Sequence, residues 1–174
     1  LVIVPTIGAP IAQVLEANPG LVDWLGGFRE APTGQVRLAS NCTGAFLLAE
    51  AGLLDGRQAT THWGFSNQFR KRFPGVDLQP EKLITVDGHI ACAGGGMAWW
   101  DLGVYLVERY AGAKVARELA KAFVIDAGRT SQAPYGALQA RRYHSDAAIL
   151  KLQDWLDVNY TRPVTLQALA AFAD

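Results

Sequence analysis

The chain has 174 residues, half of them apolar, and its 16 lysines and arginines balance 16 aspartates and glutamates. One domain, or one and a fraction, fits this length, and the apolar content excludes a disordered chain. The neutral balance gives no sign of a nucleic-acid-binding surface, and two cysteines without a Cys-x-x-Cys pair provide neither a disulfide framework nor a zinc site.

The first residues, LVIVP, predict a buried strand and lack the charged lead-in of a signal peptide. No apolar run approaches the roughly 20 residues that span a bilayer. We therefore expect a cytoplasmic protein without a membrane segment, and we expect no metal and no cofactor.

Strands and helices alternate through the first half of the chain. Asn18 and Pro19 place a cap and a first-position proline at a helix start, and Gly52 marks a helix end. The predicted strands span residues 1–4, 35–39 and 57–62, and the predicted helices span residues 20–30, 43–51 and 65–73.

A hairpin and two helices follow. The dipeptide Asp87-Gly88 joins two apolar runs, which is a strong hairpin signal. The predicted elements are strands at 82–86 and 89–92, a long helix that opens at the glycine-rich run 93–96 and reaches Tyr110, and a helix at 113–123. Strands that alternate with helices in this way predict an α/β fold, a layered and mostly parallel sheet with flanking helices.

The pattern changes after residues 128–143, a turn-rich and basic stretch that we interpret as a linker or a crossing segment. Ser145 is predicted to cap one helix and Thr165 a second, with a break between them at residues 159–163. Residues 145–174 carry four aspartates against one lysine and one arginine, a balance of −2. This short stretch is therefore expected to hold DNA weakly by itself, because affinity rests on neutralised phosphates.

Cys42 stands where a predicted strand meets a predicted helix. The small residues Ser40 and Gly44 flank it two positions away on either side, as a sharp strand-to-helix turn requires. Hydrolases use this geometry, with Gly-x-Ser-x-Gly, to hold a nucleophile above a sheet. A thiol there lies at the positive end of the helix dipole, which favours the thiolate. The alternative is a buried free cysteine of the core.

Cysteine catalysis needs a base, and His62 at the end of the third predicted strand is the best candidate. The alternative is a capping or core histidine. Gly94 and Gly95 can present backbone N–H groups to a carboxylate ligand, or they can let a helix pack close to the sheet. We interpret Cys92 as a buried structural thiol and His89, in the predicted hairpin, as a surface or structural residue.

The runs SNCTGAFLLA at 40–49, AGLLDG at 51–56 and ATTHW at 59–63 resemble the PfpI-like, class I glutamine-amidotransferase-like domain. More narrowly, they resemble the version at the front of AraC-family transcription regulators. The resemblance implies a flavodoxin-like fold and places His62 in the pocket beside Cys42. Many PfpI-like enzymes have histidine directly after the cysteine, where this chain has Thr43. They also carry a carboxylate from a first strand–helix unit, which we expect to be missing here.

The runs LQDWL at 152–156 and RPVTL at 162–166, followed by LA at 169–170, resemble the opening of the AraC-type helix-turn-helix domain. The resemblance implies an effector-binding and dimerisation domain over residues 1–143, followed by the truncated start of a DNA-binding domain over residues 144–174. It places the first DNA-binding residues at Thr165, Leu166, Leu169 and Ala170.

Two functions follow from the resemblance. In the first, which we favour, the chain is part of a transcription regulator that forms a homodimer and binds promoter DNA through the full-length protein. A small effector, anionic or amino-acid-like, binds in a crevice, and the nucleophile elbow is vestigial, without a catalytic role. The ligand-binding residues are then Cys42, Thr43, Gly44, His62, Gly94 and Gly95.

The second function is a cysteine enzyme similar to the isonitrile hydratases, which share the Cys-Thr-Gly-Ala elbow and the Thr-Thr-His-Trp strand. Cys42 then attacks an electrophilic carbon and His62 assists.

Overall fold

The computed structural model describes residues 1–29, 36–126, 128–140, 146–159 and 161–173. Contacts within the chain divide it into two compact units, residues 1–135 and 136–174. The division falls inside a helix, whereas the predicted domain boundary at 143/144 lies outside the described residues.

The described elements follow the predicted alternation of strands and helices. The strands are β1 (Val2–Val4), β2 (Leu38–Asn41), β3 (Gln58–Ala59), β4 (Asp77–Leu78), β5 (Ile84–Asp87) and β6 (Ile90–Ala93). The helices are α1 (Ile11–Ala17), α2 (Pro19–Gly26), α3 (Ala45–Glu50), α4 (Ser66–Arg72), α5 (Trp99–Ala111), α6 (Ala113–Ala122), α7 (Ala133–Ala140), α8 (Ala147–Asn159) and α9 (Leu166–Ala173).

The main sheet has the strand order β1-β2-β6-β5. Strands β1, β2 and β6 run parallel, with Val4 opposite Ser40 and Ser40 opposite Cys92. Strand β5 joins antiparallel, with Thr85 opposite Cys92, through the predicted hairpin turn at Gly88, whose φ is +59°. The predicted mostly parallel α/β sheet with flanking helices is therefore confirmed.

The two faces of this sheet bury different side chains, because successive residues of a strand point to opposite faces. On one face Leu38 packs in a cluster with Phe46 of α3 and Phe69 of α4, whose rings meet edge to face at 4.8 Å. On the other face Ala39 packs with Leu102 of α5. Helix α3 is buried over residues 45–49, as expected for a helix that is apolar on all sides.

The third predicted strand is shorter than expected. Its ladder stops after β3, which pairs with β4, and Thr60 and Thr61 bond through their side chains instead. The Thr60 hydroxyl donates to the carbonyl of Lys82 at 2.9 Å, and the Thr61 hydroxyl donates to the carbonyl of Cys42 at 2.8 Å. Threonine hydroxyls compete in this way with sheet pairing.

Of the two interpretations of residues 128–143, a linker or a crossing segment, the described part of the segment fits the second. Ser131 forms an antiparallel bridge with Lys82, and helix α7 begins two residues later. Gln132, between them, is 1% exposed. The start of this segment is therefore packed against the first unit.

The second unit contains the helices α8 and α9. Asp146 caps α8, because its Oδ1 accepts the N–H groups of Ala148 at 3.0 Å and Ile149 at 3.1 Å, whereas the predicted cap Ser145 lies outside the described residues. The predicted cap of α9 is confirmed, because Thr165 Oγ1 accepts the N–H of Ala168 at 3.2 Å. The two helices meet through Trp155 and Phe172, whose ring centroids are 5.4 Å apart.

Bilayer-crossing helices were also sought among the described residues, and none of those helices combines the required length with the required apolar character.

His89 makes the stability of the fold depend on pH. It is 1% exposed, its Nε2 lies 3.1 Å from the carbonyl of Phe28, and its Nδ1 has no hydrogen-bond partner in the described part of the chain. A proton on Nδ1 would therefore be buried without an acceptor. Burial, followed by the positive charge of Arg57, lowers the pKa of His89 below its ordinary value.

We expect the free energy of unfolding to be at its full value above about pH 6.5 and to fall as the pH drops below that value. The unfolded chain then binds a proton that the folded chain excludes, since the folded pKa is the lower one. Urea unfolding between pH 7.5 and 5.5 measures this slope. His89→Gln, which keeps an N–H donor toward Phe28, should flatten it, and an unchanged slope would contradict the assignment.

Candidate functional site

The predicted elbow is present at Cys42. Strand β2 ends at Asn41, and Cys42 begins a short 3-10 turn, Cys42–Gly44, that runs into α3. The φ of Cys42 is +56°, a left-handed conformation that non-glycine residues rarely adopt and that occurs at functional sites. The Thr61 hydroxyl bonds to the Cys42 carbonyl and helps to hold this conformation.

The crowding that was inferred from the spacing is visible at Gly44. A Cβ at this position would lie 2.4 Å from the carbonyl oxygen of Pro5 and 2.6 Å from that of Val4, both backbone atoms. Ser40, on the other side of Cys42, is completely buried. The elbow therefore needs a glycine on the helix side so that the chain after β1 can pass it closely.

Thr43 fastens that neighbouring chain segment to the elbow. Its hydroxyl donates to the carbonyl of Ile7 at 2.6 Å and accepts the N–H of the same residue at 3.1 Å. Thr43 is also 3% exposed. Its side chain is thus engaged in positioning residues 5–7, which limits what it can offer to the ligand that was predicted to contact it.

Asn41, which the sequence analysis missed, connects the elbow to the start of α5. Its Nδ2 donates to Thr6 Oγ1 and to the carbonyl of Gly96, both at 3.2 Å. An amide side chain at the end of a buried strand is the signal that points to such a role.

His62 caps the 3-10 turn Trp63–Phe65. Its Nδ1 accepts the N–H of Gly64 at 3.0 Å, so the proton of the neutral ring lies on Nε2. Burial lowers the pKa of His62, which keeps the ring neutral at pH 7. This geometry fits the capping interpretation of His62, while its role as a base stays a prediction.

Cys42 and His62 are not paired. Across the described ranges no hydrogen bond joins them, and the connection between them runs through Thr61, which bonds to the Cys42 carbonyl and directly precedes His62. The arrangement lacks the contact between nucleophile and base that defines an activated cysteine.

A cavity of about 330 Å³ opens beside His62. Its wall combines aromatic, small and polar residues, among them His62, Trp63, Gly95, Met97, Arg129, Gln132 and Tyr135. The cavity brings together two of the predicted ligand-binding residues, His62 and Gly95. Cys42, Thr43 and Gly44 form the adjoining elbow, connected to this wall by the bond from Asn41 to Gly96.

Gly94 has a different role from the one expected. Its N–H donates to the carbonyl of Leu83 at 2.8 Å and is therefore occupied. A Cβ on Gly94 would lie 2.2 Å from Nε2 of Gln132. Gly94 thus makes room for the Gln132 side chain, while Gly95 lines the cavity.

Arg129 brings a charge to the cavity wall, and Asp101 of α5 neutralises it. The guanidinium forms two hydrogen bonds to the carboxylate, Nε to Oδ1 at 3.3 Å and Nη2 to Oδ2. Asp101 is 7% exposed, and its hydrogen bonds raise the pKa of Arg129. The charge of the wall is therefore close to neutral.

Candidate metal ligands do not converge in the described residues, since no group of three or more histidine, cysteine, aspartate or glutamate side chains is placed to hold an ion.

The predicted DNA-binding residues lie at the start of α9. Thr165 is its cap, Leu166 is 83% exposed, Leu169 is partly buried and Ala170 is exposed. Contact of these residues with DNA stays a prediction.

Comparison with known proteins shows relatives among bacterial regulators. The chain is 33% identical over 154 residues to the HTH-type transcriptional regulator CdhR of Pseudomonas aeruginosa. The aligned residues make up 88% of this chain and 45% of CdhR. It is 30% identical over 139 residues to the HTH-type transcriptional regulator GlxA of Rhizobium meliloti, and the aligned residues make up 79% of this chain and 43% of GlxA. The chain thus spans less than half the length of these two relatives.

An enzyme is also among the relatives. The isonitrile hydratase of Pseudomonas putida is 31% identical over 154 residues, which cover 84% of this chain and 63% of the enzyme. No protein-family model matches the chain.

Solved structures share the fold. DJ-1beta of Drosophila melanogaster superposes with a TM-score of 0.58 at 18% identity, covering 71% of this chain and 63% of that one. A ThiJ/PfpI family protein from Pseudomonas syringae superposes with a TM-score of 0.51 at 20% identity, and the superposition covers 98% of this chain and 64% of that one. At these identities the likeness concerns the fold alone.

The parallel sheet, the elbow and these likenesses define the class of the protein, a DJ-1/ThiJ/PfpI-like α/β domain with a helical region after it. More particularly, its sequence is similar to the HTH-type transcriptional regulators over 79 to 88% of the chain.

Gly44→Ala tests the close passage at the elbow. The added methyl group meets two backbone carbonyls that cannot move aside cheaply, so we expect the free energy of unfolding to fall by about 2 kcal/mol or more.

Gly20→Ala in α2 is the matched control, since no atom lies within 4 Å of its Cβ position. It should leave stability unchanged or raise it by up to about 1 kcal/mol. Chemical denaturation of both variants measures the difference, and equal stabilities would show that the elbow tolerates a side chain at position 44.

Proposed function

We propose that this chain is the effector-sensing part of a DNA-binding transcription regulator, residues 1–143, together with the start of its helix-turn-helix domain, residues 144–174. The observation that carries the proposal is the similarity to HTH-type regulators over 88% of the chain. The helices α8 and α9 support it, because they follow the α/β domain where the helix-turn-helix resemblance begins. The full-length protein binds promoter DNA in the cytoplasm, as a homodimer.

The effector site in this proposal is the cavity beside His62. Its near-neutral, largely apolar wall with a few polar groups suits a small metabolite with both polar and apolar parts, such as an amino-acid-like molecule. His62 and Gly95 contact the effector directly. The elbow of Cys42, Thr43 and Gly44 supports the wall, since Asn41 beside it bonds to Gly96.

The protein in this proposal is not an enzyme. Within the described residues Cys42 shares no hydrogen bond with His62, and Thr43 takes the place of the histidine that directly follows the cysteine in many PfpI-like enzymes. Cys42 is also 5% exposed, which restricts attack on a substrate. The elbow is then a vestige of an ancestral active site that now shapes a binding pocket.

A DNA-shift assay with the full-length protein at fixed salt tests the regulator. We expect a shift of promoter fragments that changes when an amino-acid-like effector is added, and the salt must be constant because phosphate contacts dominate affinity. Cys42→Ala should alter the effector concentration at half-response by about threefold or more while changing stability by less than about 1 kcal/mol, since it removes one small side chain from the elbow that supports the pocket wall. No effector-dependent shift with any promoter fragment would count against the function.

A cysteine enzyme similar to isonitrile hydratase is the second candidate, and the 31% identity to that enzyme is the observation that favours it. Cys42 would be the nucleophile in that case. Thiol labelling against pH separates the two candidates. Burial raises the pKa of the Cys92 thiol, so labelling near neutral pH reports Cys42, and Cys42→Ala provides the background.

Under the regulator proposal we expect Cys42 to be labelled slowly near neutral pH, because it is 5% exposed and within the described residues shares no hydrogen bond with His62. Rapid labelling that persists down to about pH 6 would instead indicate an activated thiolate and favour the enzyme.

A further inference from the structure

We propose that the ion pair between Asp101 and Arg129 is a latch that fastens residues 128–131, here called the strap, to helix α5. When the latch opens, the strap swings about Gln132, which moves Arg129 out of the cavity wall and releases the cap that Ser131 provides for α7. As a regulatory device this inference rests on the proposed function, because it supplies a step from the cavity to the helices that follow.

The latch joins an exposed segment to a buried anchor. The Nε and Nη2 of Arg129 donate to the two carboxylate oxygens of Asp101, which is buried in α5. A buried carboxylate needs a partner that compensates its charge, and here the partner comes from the strap. The pair therefore holds a surface segment through a side chain that cannot follow it outward.

Arg129 belongs to the walls of two cavities. It lines the cavity beside His62, and it lines a second cavity of about 260 Å³ together with Asp101 and Glu108 of α5. Its guanidinium lies at this place because Asp101 holds it there. A movement of the Arg129 side chain therefore changes the shape and the charge of both cavities.

The strap lies beside the chain segment that leads into β5. The carbonyl of Thr130 accepts the N–H of Leu83 at 3.0 Å, and the hydroxyl of Ser131 donates to the carbonyl of Glu81 at 2.8 Å. All four residues of the strap are exposed. An exposed segment with so short a ladder opens locally at a lower free energy than the core, so the ion pair matters to whether it stays closed.

Gln132 is the fixed end of the strap. It is buried, and its Nε2 donates to the carbonyl of Thr61 at 2.8 Å and to Thr60 Oγ1 at 3.1 Å. Its backbone N–H also donates to the carbonyl of Glu81 at 2.9 Å. These bonds do not depend on Arg129, so a strap that detaches from Asp101 turns about Gln132.

Ser131 connects the strap to α7. Its Oγ accepts the N–H of Ala133, the first residue of that helix, at 3.1 Å, while its hydroxyl donates to Glu81. The first N–H groups of a helix have no partner inside the helix and need such an acceptor. A strap that swings away carries Oγ with it, so the cap of α7 depends on the latch.

Asp101→Asn opens the latch without leaving a buried charge. The asparagine side chain has nearly the same shape, but its NH2 group opposes an N–H of Arg129, so the two-bond pairing is lost. Hydrogen–deuterium exchange of the full-length protein is followed by mass spectrometry. We expect peptides that contain Leu83 and residues 128–133 to exchange at least about tenfold faster than in wild type, and peptides that contain β2 and β6 to exchange at the wild-type rate.

Glu50→Gln is the matched control. Glu50 accepts two hydrogen bonds from Arg72, from Nη2 at 2.8 Å and from Nε at 2.9 Å, and this pair joins α3 to α4. Its variant should leave the exchange of the strap at the wild-type rate. Equal strap exchange in Asp101→Asn and Glu50→Gln would overturn the proposal. Exchange of β2 and β6 that rises in step with the strap would also overturn it, because the pair would then only stabilise the fold.

Arg129→Lys weakens the same latch from the other side. Lysine keeps the charge, so Asp101 stays compensated, but it cannot form the two parallel hydrogen bonds. The strap of this variant should exchange faster than in wild type and more slowly than in Asp101→Asn. A rate equal to wild type would contradict the latch.

DNA binding separates this inference from the proposed function. The affinity of the full-length protein for the DNA upstream of its own gene is compared between Asp101→Asn and Glu50→Gln at fixed salt. We expect the two affinities to differ by about threefold or more, because the start of α7 differs between the variants. Faster strap exchange with equal DNA affinities would overturn the regulatory role. If wild type shifts no promoter fragment, the regulator function is wrong, and the exchange rates still decide whether the latch exists.

Discussion

The structure depends on the close passage of the chain after β1 over Gly44. The carbonyls of Val4 and Pro5 occupy the space where any side chain at position 44 would lie. Because β1 and β2 are parallel neighbours, both strands end at the same edge of the sheet. The chain after β2 must therefore turn sharply, with no side chain at position 44. This turn puts Cys42 in a left-handed conformation, and Thr43 bonds to Ile7 beside it.

Buried hydrogen bonds connect this elbow to the cavity. The Cys42 carbonyl accepts from Thr61, the Thr61 carbonyl accepts from Gln132, and the Thr60 hydroxyl joins Gln132 to Lys82. Apart from Lys82, the residues in these bonds are buried, so each buried bond is worth more than it would be in water and its loss leaves an unpaired polar atom. The Gln132 side chain is thus connected to the backbone of Cys42 through Thr61, and this connection needs no bond between Cys42 and His62.

Local patterns predicted the elements whose causes are local. The Asp87-Gly88 turn, the small residues around Cys42 and the cap at Thr165 each depend on neighbours in sequence, and each is present. Gln132 was missed for the opposite reason. Its role depends on residues 71 and 50 positions away, Thr61 and Lys82, and its polar, turn-rich surroundings are typical of a linker. The predicted strand at 57–62 was too long because the hydroxyls of Thr60 and Thr61 bond outside the ladder, a tertiary effect that overrides propensity.

Gln132 connects the cavity wall with the start of helix α7 along the chain. Helix α7 begins at the next residue, and the division between the two compact units falls within that helix. The backbone of Gln132 is already held by Glu81, whose carbonyl accepts its N–H at 2.9 Å, and its own carbonyl accepts the N–H of Tyr135 at 3.0 Å. Gln132 therefore belongs to the cavity wall and also fixes the first turn of α7, so a change in the wall at this residue acts directly on the start of that helix.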